Sequence, residues 1–274
     1  DLRVDLDEVE ARLEARPVRS VSDLQAYDAW KRRFDVEPMV ADESVDVVVS
    51  NCVLNLVDPA DKPAMFDEIF RVLKNGGRAA ISDIVADETV PQHLRDDPDL
   101  WSGCISGALR EDEFLAAFER AGFHGVEVAS WGEEPWRTVE GIQFRSVTVT
   151  AWKGKQGDCW DCNQAVLYKG PYKSVLDDDG HTYPRGQRIA VCAKTFELLK
   201  AGPYAEHFVF LEPRVPVPLE DAIPFPCAPP AHAATAASGW EAREAQVLKR
   251  DPRQSKGVDY EATVDGTCST ESCC

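Results

Sequence analysis

The strongest constraint on the fold of this chain is a strand, a helix and a second strand that follow one another between residues 45 and 85. Residues 45–52 are rich in valine and end in polar side chains, which predicts a strand buried on both faces of a parallel sheet. Apolar residues recur at helical spacing over 64–74, and the Asn-Gly-Gly sequence at 75–77 predicts the end of that helix. A second strand is predicted at 77–85, so the run predicts a right-handed βαβ unit of a doubly wound α/β sheet.

Further elements are predicted on both sides of this unit. Residues 5–15 and 22–34 have the spacing of amphipathic helices, and residues 111–121 predict a third helix that ends at a glycine. Two strands are predicted at 125–131 and 144–154. The second of them alternates apolar and polar residues, which is typical of an antiparallel strand at the edge of such a sheet.

The character of the chain changes after about residue 157, where short strand-like runs and one short helix predict a small β-rich domain. A stretch rich in proline and alanine follows, and the final residues are polar with several cysteines. We therefore expect three parts: a partial α/β domain at 1–156, a small α+β domain at 157–227, and a linker with a flexible cysteine-rich tail at 228–274.

Charge and composition narrow the possible partners. The chain has 30 Lys and Arg against 48 Asp and Glu, and its net charge is −18 at pH 7. This sign opposes general attraction to nucleic acid or to anionic membranes, so we expect neither as a partner. No apolar run approaches the length of a membrane-spanning helix, and the first residues do not have the pattern of a secretory signal. We expect a cytoplasmic location.

Nine cysteines make thiol chemistry the first functional hypothesis. Their odd number and irregular spacing favour reduced thiols over a disulfide framework. Cys159 and Cys162 form a C-x-x-C pair, which by itself is compatible with half of a zinc site, a redox pair, or two thiols with unequal roles. Since no second C-x-x-C and no paired histidines complete four ligands, zinc is the weaker interpretation.

Three longer motifs carry a resemblance to a known family. Residues 42–84, DESVDVVVSNCVLNLVDPADKPAMFDEIFRVLKNGGRAAISDI, resemble the second half of a class I methyltransferase that uses S-adenosylmethionine. The segments DDPDLWSGCISGAL (96–109) and EPWRTVEGIQFRSVTVTAWKGKQGDCWDCNQAVLYKGP (134–171) narrow this resemblance to the arsenite methyltransferases. The resemblance extends from about residue 1 to residue 227 and implies the Rossmann-like sheet of class I methyltransferases.

The resemblance also implies a site and its chemistry. In the family two thiolates hold trivalent arsenic, and the matching positions here are Cys104 and Cys159, with Gln164 fixing the register. Cys162 does not match a ligand position. Thiolates suit a soft centre such as arsenic, and the arsenic lone pair can attack a methyl carbon without a general base. The implied cofactor is S-adenosylmethionine, and the implied partners are arsenite and a thiol reductant of the glutathione or thioredoxin type.

Other residues are weaker candidates. Asn51 and Cys52 follow the first predicted strand, where doubly wound folds bind their ligands, so both are candidate cofactor-binding residues; a packing role is the alternative for Cys52. Cys192 is expected to be a core residue. The tail cysteines are further candidates for arsenic capture, and the alternative is a disordered end whose cysteines have no role; they are Cys268, Cys273 and Cys274.

The glycine-rich cofactor loop of a complete class I methyltransferase does not occur in this sequence. We therefore expect either that the chain is a fragment or that another polypeptide supplies the front half, and that the chain alone binds S-adenosylmethionine weakly. Two alternatives to arsenite methylation stay open. One is a non-catalytic thiol module that binds arsenite or another soft metal, and the other is a methyltransferase for a small organic acceptor.

Overall fold

The structure is a computed structural model, and it describes residues 2–227. The segment 228–274, which includes Cys268, Cys273 and Cys274, lies outside the described residues. Among residues 2–227, no helix combines the length and the apolar character that crossing a membrane requires.

The helices agree with the apolar periodicity of the sequence, with shifts of a few residues at their ends. The predicted helix at 64–74 begins and ends two residues earlier, with a proline in its first turn. The helices are α1 (Leu6–Ala15), α2 (Val21–Lys31), α3 (Arg33–Val36), α4 (Lys62–Val72), α5 (Gln92–Arg95), α6 (Pro98–Ser102), α7 (Glu111–Arg120) and α8 (Ala193–Lys200), with 3₁₀ turns at Leu54–Leu56, Gly202–His207 and Leu219–Asp221.

The strands form one large sheet and three smaller pairings. They are β1 (Val45–Asn51), β2 (Leu73–Ala86), β3 (Leu109–Arg110), β4 (His124–Trp131), β5 (Arg137–Val139), β6 (Ile142–Trp152), β7 (Trp160–Asp161), β8 (Gln164–Tyr168), β9 (Ser174–Leu176), β10 (Thr182–Pro184), β11 (Arg188–Val191), β12 (Phe208–Leu211) and β13 (Ile223–Pro224).

The large sheet contains the predicted βαβ unit. Strands β1 and β2 are parallel and joined through α4, and the strand order is β1-β2-β6-β4. Short strands extend this order, since β3 pairs with β2 and β5 pairs with β6. Because β6 is antiparallel to both β2 and β4, the sheet is mixed.

Two sequence expectations about this sheet are corrected by the structure. Strand β6 is antiparallel as predicted, but it lies in the interior of the sheet and not at its edge. Its alternating burial reflects one well-covered face, which an interior antiparallel strand can also have. Gly76 and Gly77 do not end α4; the helix ends at Val72 and both glycines lie within β2, where Gly76 has a φ of 82°.

Strand β1 is less buried than predicted. Val48 packs against the core, whereas Val47 and Val49 on the opposite face are 48% and 73% exposed. Among the described strands β1 pairs only with β2, so it forms an edge of the sheet. The valine run therefore reflects strand propensity more than burial on both faces.

The main core lies between the large sheet and the helices α4 and α7. Phe66 and Phe118 meet edge to face at 4.9 Å between ring centroids, and Phe118 also contacts Phe114 and Phe123. This packing fixes α4 and α7 on one face of the sheet, and it thereby fixes the loops at the carboxyl ends of β1 and β2.

A second group of strands follows the large sheet along the chain. Strands β11, β8 and β12 form an antiparallel sheet, and β9 pairs with β10 across the Asp-rich turn at 177–181. Helix α8 packs on this sheet through Phe196 and Leu199. The two-residue strands β7 and β13 pair with each other and bring residue 227 back towards residue 159.

Candidate functional site

The carboxyl ends of β1 and β2 lie side by side. Asn51 at the end of β1 is in register with Ser82 of β2, and the next backbone N–H, that of Cys52, donates to the Ser82 carbonyl at 2.9 Å. Cys52 is exposed and its φ is 55°, so the chain turns sharply here. Its thiol lies 3.4 Å from Oδ1 of Asn51. Both candidate cofactor residues thus lie at the sheet end where α/β folds bind ligands.

A buried acid and a buried base lie behind this edge. Asp83 is almost fully buried and accepts hydrogen bonds from the backbone N–H groups of Ile84 at 2.8 Å and Asn55 at 3.4 Å. Burial raises the pKa of Asp83, and its backbone donors only partly offset that effect. Lys62 is also buried and donates to the carbonyl of Gly107. Burial lowers the pKa of Lys62 to about 8, against the attraction of Asp83.

Asn55 connects the β-strand edge to the loop that carries Cys104. Its side-chain nitrogen donates to the carbonyls of Ile84 at 2.6 Å and Cys104 at 3.0 Å. The loop also approaches Asn55 through Gly107, where an added Cβ would overlap the Asn55 carbonyl oxygen and lie 2.8 Å from its carbonyl carbon. Glycine at 107 therefore makes room for Asn55, and the backbone of Cys104 is fixed from β2.

Cys104 itself has an unusual backbone. Its φ is 58°, a left-handed conformation that costs about 1 kcal/mol or more for a residue with a Cβ. The thiol is half-buried, and burial raises its pKa, with smaller contributions from the negative charge of Asp83 and from Cys52. Two cysteines with positive φ, Cys52 and Cys104, thus lie near one buried carboxylate. Strained residues of this kind cluster at functional sites.

Cys159 does not lie with Cys104. Asn55 fixes Cys104 beside Ile84, near the carboxyl end of β2. Cys159 lines a cavity together with Gly122, just ahead of β4, and β4 begins opposite Trp152, which pairs with Arg78 of β2. Ile84 lies six residues beyond Arg78, a spacing of about 20 Å along β2. Cys104 is not a member of the group of neighbouring thiols that contains Cys159, and a shared site on the two residues stays a prediction.

The structure instead brings Cys159 together with Cys192 and Cys227. The three sulfur atoms all lie within 4.8 Å of one another, and we call this group the three-thiol cluster. Cys227 was not a candidate from the sequence, and Cys192 was expected to be core. Cys192 is indeed fully buried, but its thiol belongs to the cluster. Cys162, the other half of the C-x-x-C pair, is buried and lies outside the cluster.

Local structure explains how the cluster forms. The pairing of β7 with β13 is continued by a hydrogen bond from the Phe225 N–H to the Cys159 carbonyl at 2.8 Å, which places Cys227 next to Cys159. Cys192 is the N-cap of α8, and its sulfur accepts from the Thr195 N–H at 3.4 Å. No local sequence signal marks Cys227, because its position depends on the pairing of two-residue strands that are more than 60 residues apart.

The thiols of the cluster are not equivalent. Burial raises the pKa of the Cys192 thiol, but hydrogen bonds from Thr195 and from the thiols of Cys227 and Cys159 outweigh this effect and lower the pKa overall. Burial and the two neighbouring sulfur atoms raise the pKa of Cys227. Of these two thiols, Cys192 at the amino end of a helix therefore loses its proton more readily than Cys227.

A cavity of about 400 Å³ opens beside the cluster, lined by Cys159 and Cys227. Its wall includes Lys155, which pairs with Asp179 at 2.6 Å. His181 also lines it, and the Nδ1 atom of His181 is 2.8 Å from the carboxylate of Asp177, which raises the pKa of the histidine. Small solutes can thus reach two of the three sulfur atoms.

Two family models match the chain. Residues 29–122 match a methyltransferase domain, and residues 155–239 match a domain of unknown function, DUF8838. Together with the mixed sheet, the first match shows the Rossmann-like α/β fold of class I methyltransferases.

Curated relatives point in the same direction. The chain is 32% identical over 186 residues to an arsenite methyltransferase of Aquipseudomonas alcaligenes, an alignment that covers 63% of this chain and 53% of the relative. It is 30% identical over 227 residues to an arsenite methyltransferase of Mus musculus, covering 79% of this chain and 55% of the relative. The chain thus spans about half the length of these relatives.

A solved structure of an arsenic (III) S-adenosylmethionine methyltransferase from Chlamydomonas reinhardtii is 25% identical, with a TM-score of 0.43; the match covers 73% of this chain and 77% of that one. None of these comparisons assigns a role to an individual side chain. The roles of Asn51, Cys52, Cys104 and Cys159 therefore stay predictions.

Proposed function

We propose that this chain, a relative of the arsenite methyltransferases, belongs to an enzyme that moves a methyl group from S-adenosylmethionine to trivalent arsenic bound at Cys104. We assign the transfer to residues 1–156 and a thiol-binding role to residues 157–227. The observation that carries the proposal is the position of Cys104, held in a left-handed conformation at the carboxyl ends of two parallel strands. Residue 104 also falls within the segment that matches the methyltransferase model.

The residues at the carboxyl ends of β1 and β2 show whether this edge of the sheet could bind S-adenosylmethionine. Asn51 and Cys52 are exposed and polar, and the side chains of Val53 and Leu56 beside them are exposed and apolar. This mixture suits one side of a ligand that carries both charged and apolar parts, so these residues fit part of the S-adenosylmethionine site, without the glycine-rich loop. When bound, the cofactor supplies an electrophilic methyl group on a sulfonium sulfur. We assign Asn51 and Cys52 to its binding.

The role of Cys104 follows from its surroundings. Because burial and the nearby Asp83 carboxylate raise its pKa, the resting side chain is a neutral thiol. Arsenite is a neutral hydroxide of arsenic. When an As–S bond forms, an As–O bond breaks, and the thiol proton leaves with the hydroxide as water. The step needs no separate base, and the Asn55 hydrogen bond to the Cys104 carbonyl holds the loop in place.

Two further assignments belong to the same proposal. A thiol reductant of the glutathione or thioredoxin type returns pentavalent product to the trivalent state. The enzyme acts in the cytoplasm, a compartment that keeps thiols reduced. The free state of the six described cysteines supports this assignment.

The test compares Cys104→Ser with Cys162→Ala in the full-length protein. Methylarsenic formation is followed with arsenite, S-adenosylmethionine and a thiol reductant. We expect Cys104→Ser to lower the rate by about a hundredfold or more, a loss of about 3 kcal/mol of transition-state stabilisation. Cys162→Ala removes a thiol that lies outside both the Cys104 loop and the three-thiol cluster. This variant should methylate arsenite at the wild-type rate.

Circular dichroism of both variants shows whether they fold. If folded Cys104→Ser methylates arsenite at the wild-type rate, the role of Cys104 is refuted. If it instead retains transfer to a small organic acceptor, the enzyme is a methyltransferase of another substrate class.

The three-thiol cluster favours a second candidate function, a module that binds arsenite without transferring a methyl group. Arsenite binding that requires the cluster, in protein that forms no methylarsenic under any condition, would favour this candidate over the enzyme.

A further inference from the structure

We propose that Cys159, Cys192, Cys227 and His181 form a zinc site, in which three thiolates and one imidazole hold Zn²⁺. The spacing of residues in the sequence did not predict this site, because its ligands come from separate parts of the chain and not from closely spaced motifs. The site does not rest on the proposed function, since it involves neither arsenic nor a methyl donor.

The three sulfur atoms already lie at almost the separation that zinc requires. They are all within 4.8 Å of one another. Zinc binds thiolate sulfur at about 2.3 Å in tetrahedral geometry, so two sulfur ligands of one ion are about 3.8 Å apart. Even the widest pair therefore has to close by only about 1 Å, which small rotations of the two side chains provide.

Separate elements hold the thiols in place. Cys159 precedes β7, Cys192 is the N-cap of α8, and Cys227 follows β13. The β7–β13 pairing and the hydrogen bond from the Phe225 N–H to the Cys159 carbonyl connect the first segment to the third. Cys192 is fully buried, whereas the other two thiols line the 400 Å³ cavity. An ion can therefore enter from the cavity and reach a fixed inner ligand.

His181 supplies the fourth ligand. It lines the 400 Å³ cavity together with Cys159 and Cys227. It also lines a second pocket, of about 30 Å³, whose wall includes Cys192 and Cys227. The histidine thus shares a cavity wall with each of the three thiols. Its ring nitrogens are not among the atoms that lie within 4.8 Å of one another, so zinc binding has to draw the imidazole towards the sulfur atoms.

Asp177 orients this imidazole in the way that metal sites require. Its Oδ2 atom is 2.8 Å from Nδ1 of His181 and accepts a hydrogen bond from the Tyr183 hydroxyl at 2.8 Å. Its Oδ1 atom accepts from the His181 backbone N–H, also at 2.8 Å. A histidine that binds zinc usually donates its other ring nitrogen to a carboxylate in this manner, which fixes the tautomer. With Nδ1 directed to Asp177, Nε2 carries the lone pair that zinc needs.

The chemistry of the ligand atoms selects zinc. Three cysteines with one histidine are an established ligand set for structural zinc. Calcium and magnesium take oxygen ligands, and within the described part of the chain the clustered ligand atoms are sulfur alone. Copper(I) favours sulfur ligands, whereas an imidazole completing a four-ligand set favours zinc.

The binding step balances without a redox partner. Each of the three S–H groups loses its proton to water, a sulfur–zinc bond forms in its place, and no atom changes its oxidation state. Zn²⁺, three thiolates and a neutral imidazole together carry one net negative charge. Lys194 lines the same cavity and donates to the carbonyl of Gly157 at 2.7 Å, a contact that leaves its positive charge available to offset that negative charge.

The experiment measures zinc in the full-length protein, with Cys104 and the three tail cysteines replaced by serine and the other thiols kept reduced. We expect about one equivalent of zinc by mass spectrometry, either in the purified protein or after metal-free protein is reloaded with zinc chloride. X-ray absorption at the zinc edge should show three sulfur neighbours and one nitrogen neighbour.

Variants assign the ligands one at a time. Cys159→Ser and Cys227→Ser should each leave two sulfur neighbours and weaken zinc binding by about a hundredfold or more in competition with a chelator. His181→Gln should remove the nitrogen neighbour and keep the three sulfur atoms. Asp177→Asn should weaken binding by about tenfold while the set of neighbours stays the same, because it acts only through the orientation of the imidazole.

Two matched controls separate binding from folding. Cys162→Ala removes a buried thiol outside the cluster, and His207→Gln removes an exposed histidine; both should leave the zinc content and affinity unchanged. Circular dichroism checks that each variant is folded. The X-ray absorption spectrum of the unaltered site tests the ligand set even if a ligand variant does not fold.

Four outcomes would overturn the proposal. They are protein that neither contains nor takes up zinc, a bound ion whose neighbours are not three sulfurs and one nitrogen, zinc affinity that is unchanged in folded Cys227→Ser and His181→Gln, and metal-free protein whose three thiols bind arsenite but not zinc. Because the assay uses no methyl donor, a failure to form methylarsenic would refute the proposed function and leave the zinc site standing.

Discussion

At the scale of single residues, the two glycines beside Cys104 have unequal roles. A Cβ at Gly107 would overlap the carbonyl group of Asn55, which is backbone and cannot swing away. At Gly103 the nearest atom is the Asp99 carbonyl oxygen at 3.4 Å, an ordinary contact, and its φ of −85° suits any residue. The close approach of the Cys104 loop to β2 therefore depends on Gly107.

We predict that Gly107→Ala lowers the free energy of unfolding by about 1 to 3 kcal/mol, the usual cost of forcing extra atoms into a packed region. Gly103→Ala is the matched control and should change it by less than about 0.5 kcal/mol. Urea unfolding of both variants measures the difference. Equal stabilities would show that the loop does not approach Asn55 as closely as described.

At the scale of elements, the helices α4 and α7 position the candidate site because they hold the sheet from one side. Phe118 of α7 is the centre of this contact, since its ring meets Phe66, Phe114 and Phe123. It is fully buried. The loops that carry Asn55 and Cys104 begin and end at the elements packed around it.

Truncating this ring leaves a large cavity, so we predict that Phe118→Ala lowers the free energy of unfolding by about 3 to 5 kcal/mol. Leu219→Ala, at an exposed apolar position, is the control and should be almost neutral. Thermal and urea unfolding would measure both. A loss below about 1 kcal/mol for Phe118→Ala would contradict the described core.

The sequence predicts individual helices and strands better than it predicts which strands pair with one another. The βαβ unit was predictable because valine runs and helical periodicity are local signals, and the structure confirms it. The interior position of β6 was not predictable. Alternation of apolar and polar residues shows that one face of a strand is covered, but it does not show whether the strand lies inside the sheet or at its edge. Cys227 was missed for a related reason: it reaches Cys159 through the β7–β13 pairing, and strands of two residues have no periodicity.

At the scale of the whole molecule, a buried histidine links the large sheet to the later strands. His124 begins β4, and its ring stacks on Tyr204 at 6.2 Å between centroids. Burial lowers the pKa of His124 to about 4, and the positive charge of Lys155 adds to this effect. The histidine therefore stays neutral in the folded protein well below the pH at which it gains a proton in the unfolded chain.

This pKa shift determines whether the free energy of unfolding rises or falls with pH. Because the unfolded chain binds the proton first, the contribution of His124 to stability is complete above about pH 6.5 and is lost as the pH falls towards 4. The loss is at most about 3 kcal/mol. We predict that His124→Phe, which keeps an aromatic ring on Tyr204, is less destabilised than the wild type between pH 6.5 and 4.

Urea unfolding at several pH values in this range measures the effect, with His93→Gln as a control that removes an exposed histidine. Parallel pH profiles for the wild type and His124→Phe would contradict a buried, neutral His124.

At the same scale, five of the six described cysteines fall into two groups. Cys52 and Cys104 lie near the carboxyl ends of β1 and β2, whereas Cys159, Cys192 and Cys227 form the three-thiol cluster. The account assigns methyl transfer to the first group and binding to the second, so substitutions in one group should leave the other function intact.

The most direct measurement of the central claim follows the methyl group itself. The full-length protein is incubated with methyl-labelled S-adenosylmethionine, arsenite and a thiol reductant, and the arsenic species are separated and counted. The account predicts label in methylarsenic that depends on arsenite and on Cys104, and that persists when Cys227 is replaced by serine. Label that stays on the cofactor, although the protein binds both substrates, would contradict it.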